Sequence, residues 1–89
     1  MTSDERLWVI LDLARAAVEA AVRRMPPPAV GADPFLAERR GCFVTLKRAG
    51  RLRGCLGCLE AVEPLGTAIV RLAAESALHD TRFSPVAPD

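Results

Sequence analysis

"GCFVTLKRAGRLRGCLG", residues 41–57, carries two strand signals and the turn between them. Cys42, Val44 and Leu46 alternate with Phe43, Thr45 and Lys47. Alternation at period two is the pattern of a strand with one buried face. Ala49-Gly50 supplies the turn and Arg51–Cys55 the return strand, so a β-hairpin is expected here. Gly54 and Gly57 are then expected to bend the chain sharply, because glycine takes φ > 0 at no steric cost.

Upstream of the hairpin, residues 3–24 read as a helix. Thr2 and Glu5 fit a capping box, and Asp4 and Glu5 suit the positive end of the helix dipole. Leu7, Leu11, Ala14, Val18 and Ala21 recur at three- and four-residue steps and predict the buried stripe. "MPPPAVGADP", 25–34, stops that helix with three consecutive prolines and opens an extended connection over 25–38. Downstream, "EPLGTAIVRLAAESALHD", 63–80, returns to a helical period, with Leu65, Ala68, Ile69, Leu72 and Ser76 on one face. "DTRFSPVAP" is a polar, proline-studded exit. The expected organisation is therefore one unit over 1–89: a helix to residue 24, a connection over 25–38, and hairpin, helix and exit over 39–89. The fold class is α+β. An isolated hairpin is marginal in water, so this one is expected either to belong to a larger sheet or to be completed by self-association.

Composition sets the bounds. A chain of 89 residues makes one small domain, and domains of this size bury roughly 60–65% of their unfolded surface. Hydrophobic residues make up 51% and aromatics 4%, so the core is expected from Leu, Val, Ala and Ile. The formal net charge of +1 gives no field to draw the chain to nucleic acid or membrane. The acidic start "MTSDERLW" is unlike a secretory signal. The run "LWVIL", 7–11, is far short of a bilayer span. Three cysteines without a signal point to free thiols in a cytoplasmic setting.

Four groupings carry potential chemistry. Cys55-Leu-Gly-Cys58 has redox spacing, but it follows a strand rather than opening a helix, and Glu60 and Glu63 follow it. Cys42, Cys55, Cys58 and His79 have the composition of a zinc set, yet only one short-spaced knuckle exists, and no metal is expected. Arg39, Arg40, Lys47, Arg48, Arg51 and Arg53 make a basic hairpin with no acid between residues 39 and 59. Phe43 alone gives little for base stacking, so a solvated strand edge is expected rather than a nucleic-acid surface. His79, Asp80 and Arg82 follow the second helix. His79 suits the negative helix end. Asp80 could pair with Arg82 or receive Arg53, and the second arrangement would bring the exit against the Gly-Cys segment.

Two of these segments together resemble the AMMECR family. The family pattern is G-x-F-V-T-L, then L-R-G-C-[IL]-G, then D-x-R-F-x-P. Here it is met in order by Gly41 to Leu46, by Leu52 to Gly57, and by Asp80 to Pro85. The resemblance implies an antiparallel sheet flanked by helices, of which this chain covers the first half or so, a truncated domain. It places a proposed functional centre at the L-R-G-C-[IL]-G segment in a cleft. Carried over, that names Arg53, Gly54, Cys55 and Gly57, with Asp80 and Arg82 as neighbours. The family commonly has Thr or Ser where Cys58 stands, so the C-x-x-C reads as accidental. The family's activity is unsettled, and no cofactor is implied. Its bacterial branch, the A-like component of the AmmeMemoRadiSam system, travels with a Memo-like protein and a radical-SAM protein.

Two functions follow as expectations. In one, the chain is an accessory or interaction module working with Memo-like and radical-SAM proteins; an exposed apolar patch beside the basic hairpin would support it. In the other, it is an enzyme with Cys55 as nucleophile or Arg53 as clamp for a small anionic ligand. An Arg–Asp strut holding the Gly-Cys segment would give the same residues with no chemistry. The first function is preferred, because no general base lies within the motif.

Overall fold

The computed structural model describes residues 2–58 and 60–87. Helix α1 runs Ser3–Val22, a single helical turn α2 covers Pro34–Ala37, strands β1 and β2 span Cys42–Arg48 and Arg51–Cys58, and helix α3 spans Leu65–Leu78. The α+β order expected from the sequence stands, with α2 added inside the proline-rich connection. Pro34 at its first position, where a missing N–H costs nothing, explains why one turn forms there.

The N-terminal cap of α1 forms as the sequence implied: Thr2 Oγ1 accepts from the Glu5 N–H at 3.2 Å. The buried stripe does not fall where expected. Leu13 and Ala17 are buried, with Ile10, Ala14 and Val18 packed beside them, whereas Leu7 and Leu11 are 52% and 43% exposed. Two apolar stripes are available on this alanine-rich helix, and the one α3 covers wins.

α3 is the centre of the molecule. Its buried residues include Leu65, Ala68, Ile69, Leu72, Ala73 and Ser76. Leu65 and Ile69 pack with Leu13 of α1 and Phe35 and Leu36 of α2, and Ala68, Leu72 and Ala73 pack with Ala17 of α1 and Val44 of β1. Ser76, buried among apolar neighbours, satisfies its hydroxyl by donating to the Ala73 carbonyl at 3.0 Å.

The hairpin is antiparallel, from Cys42 opposite Cys58 to Arg48 opposite Arg51. Its two-residue turn puts Ala49 at φ 51° and Gly50 at φ 78°, the left-handed pair that matches strand twist in a tight hairpin. β2 runs on through Gly57 to Cys58, which corrects the expected sharp bend at Gly54 and Gly57. Neither glycine has positive φ. Each is there for space. A Cβ on Gly54 would fall on the Ser76 carbonyl of α3, and one on Gly57 would fall on the Phe43 ring across the ladder. Gly54 is thus where strand and helix backbones touch.

The register shifts between Leu46 and Lys47: Leu46 pairs with Gly54 and Lys47 with Leu52, leaving Arg53 as the extra residue of a β-bulge. The bulge turns Leu52 out, 38% exposed, and leaves Arg53 half-buried. No helix among the described residues is long and apolar enough to cross a membrane.

Candidate functional site

The D-x-R-F segment folds back against the outer edge of β2. Asp80 is 6% exposed. Its Oδ2 accepts the Cys55 N–H at 2.9 Å, and its Oδ1 accepts the Arg82 N–H at 3.1 Å. The Arg82 guanidinium then grips the same carboxylate through Nε at 3.0 Å and Nη2 at 2.7 Å, and Nη2 also reaches the Cys55 carbonyl at 3.4 Å. Both outward backbone groups of Cys55 are thereby met by one ion pair, as a neighbouring strand would meet them. Phe83 donates its N–H to the Asp80 carbonyl at 3.0 Å, and Val86 donates to the Ala77 carbonyl at 2.8 Å, tying the exit to α3.

These contacts fix the charge state of Asp80. The Arg82 guanidinium first, and then the Cys55 N–H, hold its carboxyl far below the usual carboxylate range, against the opposing effect of desolvation. A strut therefore exists, but its cation is Arg82. Arg53, the other candidate partner of Asp80, lies at the bulge and lines a groove with β1 and α1.

The three thiols are free. Side chains alternate along a strand, so Cys55 and Cys58, an odd number of positions apart, point to opposite faces of β2. Cys58 packs toward the core and donates to the Glu60 carbonyl at 3.3 Å. Cys55 is on the other face, half-buried, its sulfur 3.4 Å from Thr45 Oγ1. The C-x-x-C thus brings no two sulfurs together. Cys42, opposite Cys58, has its pKa raised, chiefly by desolvation. Iodoacetamide at pH 8 is accordingly expected to modify Cys55 well before Cys42 in the folded chain, with site-resolved mass spectrometry following the order. Equal rates would contradict this placement.

The sequence reading missed one feature, a groove of about 670 Å³ between α1 and β1. Leu11, Ala14, Arg15 and Val18 form one wall, all seven residues of β1 form the other, and Leu65 and Ile69 form the floor. Its apolar wall does not show in the sequence, because the spacing of Leu11 places it equally well in the core stripe. Its far wall depends on which edge of the hairpin stays uncovered, a tertiary fact.

The AMMECR1 family pattern matches residues 11–89. A protein of Methanothermobacter thermautotrophicus is 41% identical over 85 residues, covering 90% of this chain and 43% of the relative. Protein Ta0236 of Thermoplasma acidophilum is 39% identical over 79 residues, covering 86% of this chain and 38% of its own length. The crystal structure of the uncharacterized protein PH0010 from Pyrococcus horikoshii superimposes with a TM-score of 0.80 at 36% identity, over 88% of this chain and 42% of that one. The chain thus spans less than half the length of these relatives. The ordered motifs, the strut they form and the match over nearly the whole chain lead to one identification: the chain belongs to the AMMECR1 family.

Proposed function

We propose that the chain is an accessory or interaction module that works with Memo-like and radical-SAM proteins. One observation carries this reading. The ionic residues of the D-x-R-F segment, Asp80 and Arg82, are engaged with the backbone of β2 at Cys55. A carboxylate held ionised by a guanidinium is a poor proton acceptor. The motif pair then serves as a scaffold, and function falls to surface. An apolar groove beside the basic hairpin is the surface this reading requires. Residence in the cytoplasm, where free thiols persist, belongs to the same proposal.

The alternative, an enzyme with Cys55 as nucleophile or Arg53 as anion clamp, draws support from the half-exposed thiol on the outer face of the hairpin. Against it, the hydrogen-bond partner of the sulfur among the described residues is the Thr45 hydroxyl, which is no base. Co-expression of the tagged chain with a Memo-like and a radical-SAM protein separates the two. Co-purification that survives Cys55→Ser and is lost on Leu11→Glu is expected. Absence of co-purification from the parent chain, or its loss in Cys55→Ser, would overturn the module reading.

A further inference from the structure

The Cys55–Cys58 spacing suggests one dithiol, and the ladder builds another. Cys42 and Cys58 are directly opposite each other at the open end of the hairpin. Residues opposed in this way send their side chains to the same face of the sheet. Both are half-buried, and both pack against the core cluster of Ala17, Val44, Ala68, Leu72 and Ala73. The charges report the same neighbourhood. Desolvation raises the pKa of Cys42, Arg71 opposes it, and Cys58 and Glu63 add to it. Arg71 is held in place by Glu63 at 2.9 Å and Glu75 at 3.3 Å. Its guanidinium favours the thiolate, the form that attacks a disulfide.

The register sets the distance. The outward N–H and C=O of Cys55 meet Asp80 and Arg82, so Cys55 and Thr45 are a non-hydrogen-bonded pair of the ladder. Three steps along, with no register shift between, Cys42 and Cys58 are a hydrogen-bonded pair. The Cα atoms of such a pair lie about 5.5 Å apart, within the span of about 4.4–6.8 Å that a disulfide bridges. Opposed Cβ atoms lie about 4.5–5.5 Å apart, wider than the ~3.8 Å of a relaxed disulfide. A bond between these sulfurs is therefore reached by a small approach of the strands and is strained once made. Strain makes a disulfide easier to reduce. Because the ladder sets it, the pairing does not depend on what else packs against the sheet.

We infer that Cys42 and Cys58 form a reversible dithiol site whose oxidant is a small disulfide of the glutathione class. Cys58, as thiolate, attacks one sulfur of that disulfide. The small S–S bond breaks, and one small thiol leaves with the proton that Cys58 gave up. Cys42, whose burial makes it hold its proton longer, attacks second: its sulfur bonds to the Cys58 sulfur, and the other small thiol leaves with the Cys42 proton. Two protein thiols become one disulfide, and one small disulfide becomes two thiols. Cys55 points to the opposite face of β2 and takes no part.

The test treats the 89-residue chain with glutathione disulfide at pH 8, once folded by circular dichroism and once in guanidinium. Acid quenching, alkylation and non-reducing digestion then assign each cysteine by mass spectrometry. In the folded chain a Cys42–Cys58 bond is expected, with glutathione retained on Cys55 alone. Cys55→Ser is expected to lose two hydrogens and carry no glutathione, and adding Cys42→Ser to it is expected to leave one glutathione on Cys58. In guanidinium, where distance along the chain decides, the Cys55–Cys58 bond is expected to compete. The ratio of Cys42–Cys58 to Cys55–Cys58 bonds should accordingly be about tenfold or more higher in the folded chain. Excess reduced glutathione is expected to return the folded chain to its thiols. Glutathione that stays on Cys58 in folded Cys55→Ser overturns the proposal, as does the same bond ratio with and without guanidinium. A Cys42–Cys58 bond that withstands excess reduced glutathione overturns it too, since the site is then a permanent staple.

Discussion

Gly54→Ala is expected to abolish cooperative folding at 25 °C. The added methyl has nowhere to go. It would lie on the carbonyl carbon and oxygen of Ser76, within the helix that both core clusters share. A crowded side chain can rotate away, but a backbone carbonyl inside α3 moves only if the helix moves. Moving α3 off β2 opens the packing of Val44 and Leu56 against Leu72 and Ala73. Overpacking of a close-packed core costs about 1–3 kcal/mol when neighbours relax, and more when they do not. Natural domains are stable by about 5–15 kcal/mol, small ones toward the lower end, and displacing α3 loosens both core clusters at once, so the substitution consumes most of the stability. Thermal melts followed by circular dichroism, with two-dimensional NMR at 25 °C, read the result directly. A melting temperature within a few degrees of the parent would refute it. Gly57→Ala is the matched control. Its methyl meets the Phe43 ring, which is 62% exposed and free to swing into solvent, so the cost is expected to stay within about 1 kcal/mol.

The contrast between the two glycines shows how far the sequence could be read. Period-two alternation located β1, and the Ala49-Gly50 turn located the reversal, because both are local signals. α3 was legible for the same reason: its apolar residues recur on one face only. Gly54 and Gly57 were marked as special, but for backbone freedom rather than space, since the object each glycine accommodates lies far along the chain or across the ladder. The stripe of α1 was misplaced because alanine makes several faces equally plausible, and only the partner helix decides among them. The bulge at Arg53 had no sequence signal at all: "RLRGC" alternates perfectly well without it. At the site, the motif residues Cys55, Asp80 and Arg82 do come together, while Arg53 parts from them. The groove stayed invisible because its walls, from α1, β1 and the end of the exit segment, meet only in the folded chain.

That exit segment gives the second large effect. Asp80→Asn is expected to lower the melting temperature more than any other single charge removal in the chain. The amide keeps the shape of the carboxyl but takes away the charge that holds Arg82, and with Arg82 goes the second contact to the Cys55 backbone. The Cys55 N–H, facing an amide that must turn its oxygen the right way, keeps at best a neutral bond where it had an ionic one. The surface pairs offer a comparison. Glu19 with Arg23 and Glu38 with Arg40 are exposed on both partners, and such pairs contribute little. In the strut, the carboxylate side is 5% exposed while the guanidinium side is 57% exposed, so solvent screens only one end. The pH dependence has a definite sign. The folded-state pKa of Asp80 lies below its ordinary value of 3.8. The unfolded chain therefore binds the proton more readily, and acid favours unfolding. The contribution is fully present above about pH 5 and is lost progressively as pH falls through the ordinary value of 3.8 toward the depressed folded value. Parent and Asp80→Asn melting temperatures should accordingly differ by a constant amount from pH 7 down to about pH 5 and converge below pH 4. Lys and Arg retain their charge throughout this range, so the convergence reports the carboxylate and not its partner. Arg82→Lys tests the geometry as distinct from the charge. An ammonium satisfies one oxygen of Asp80 but lacks the fork that spans the carboxylate and the Cys55 carbonyl together, and an intermediate melting temperature is expected. Curves for parent and Asp80→Asn that stay parallel through pH 3 would mean that the ion pair does not hold the exit against β2, and the strut would have to be assigned to the Val86 and Phe83 backbone bonds instead.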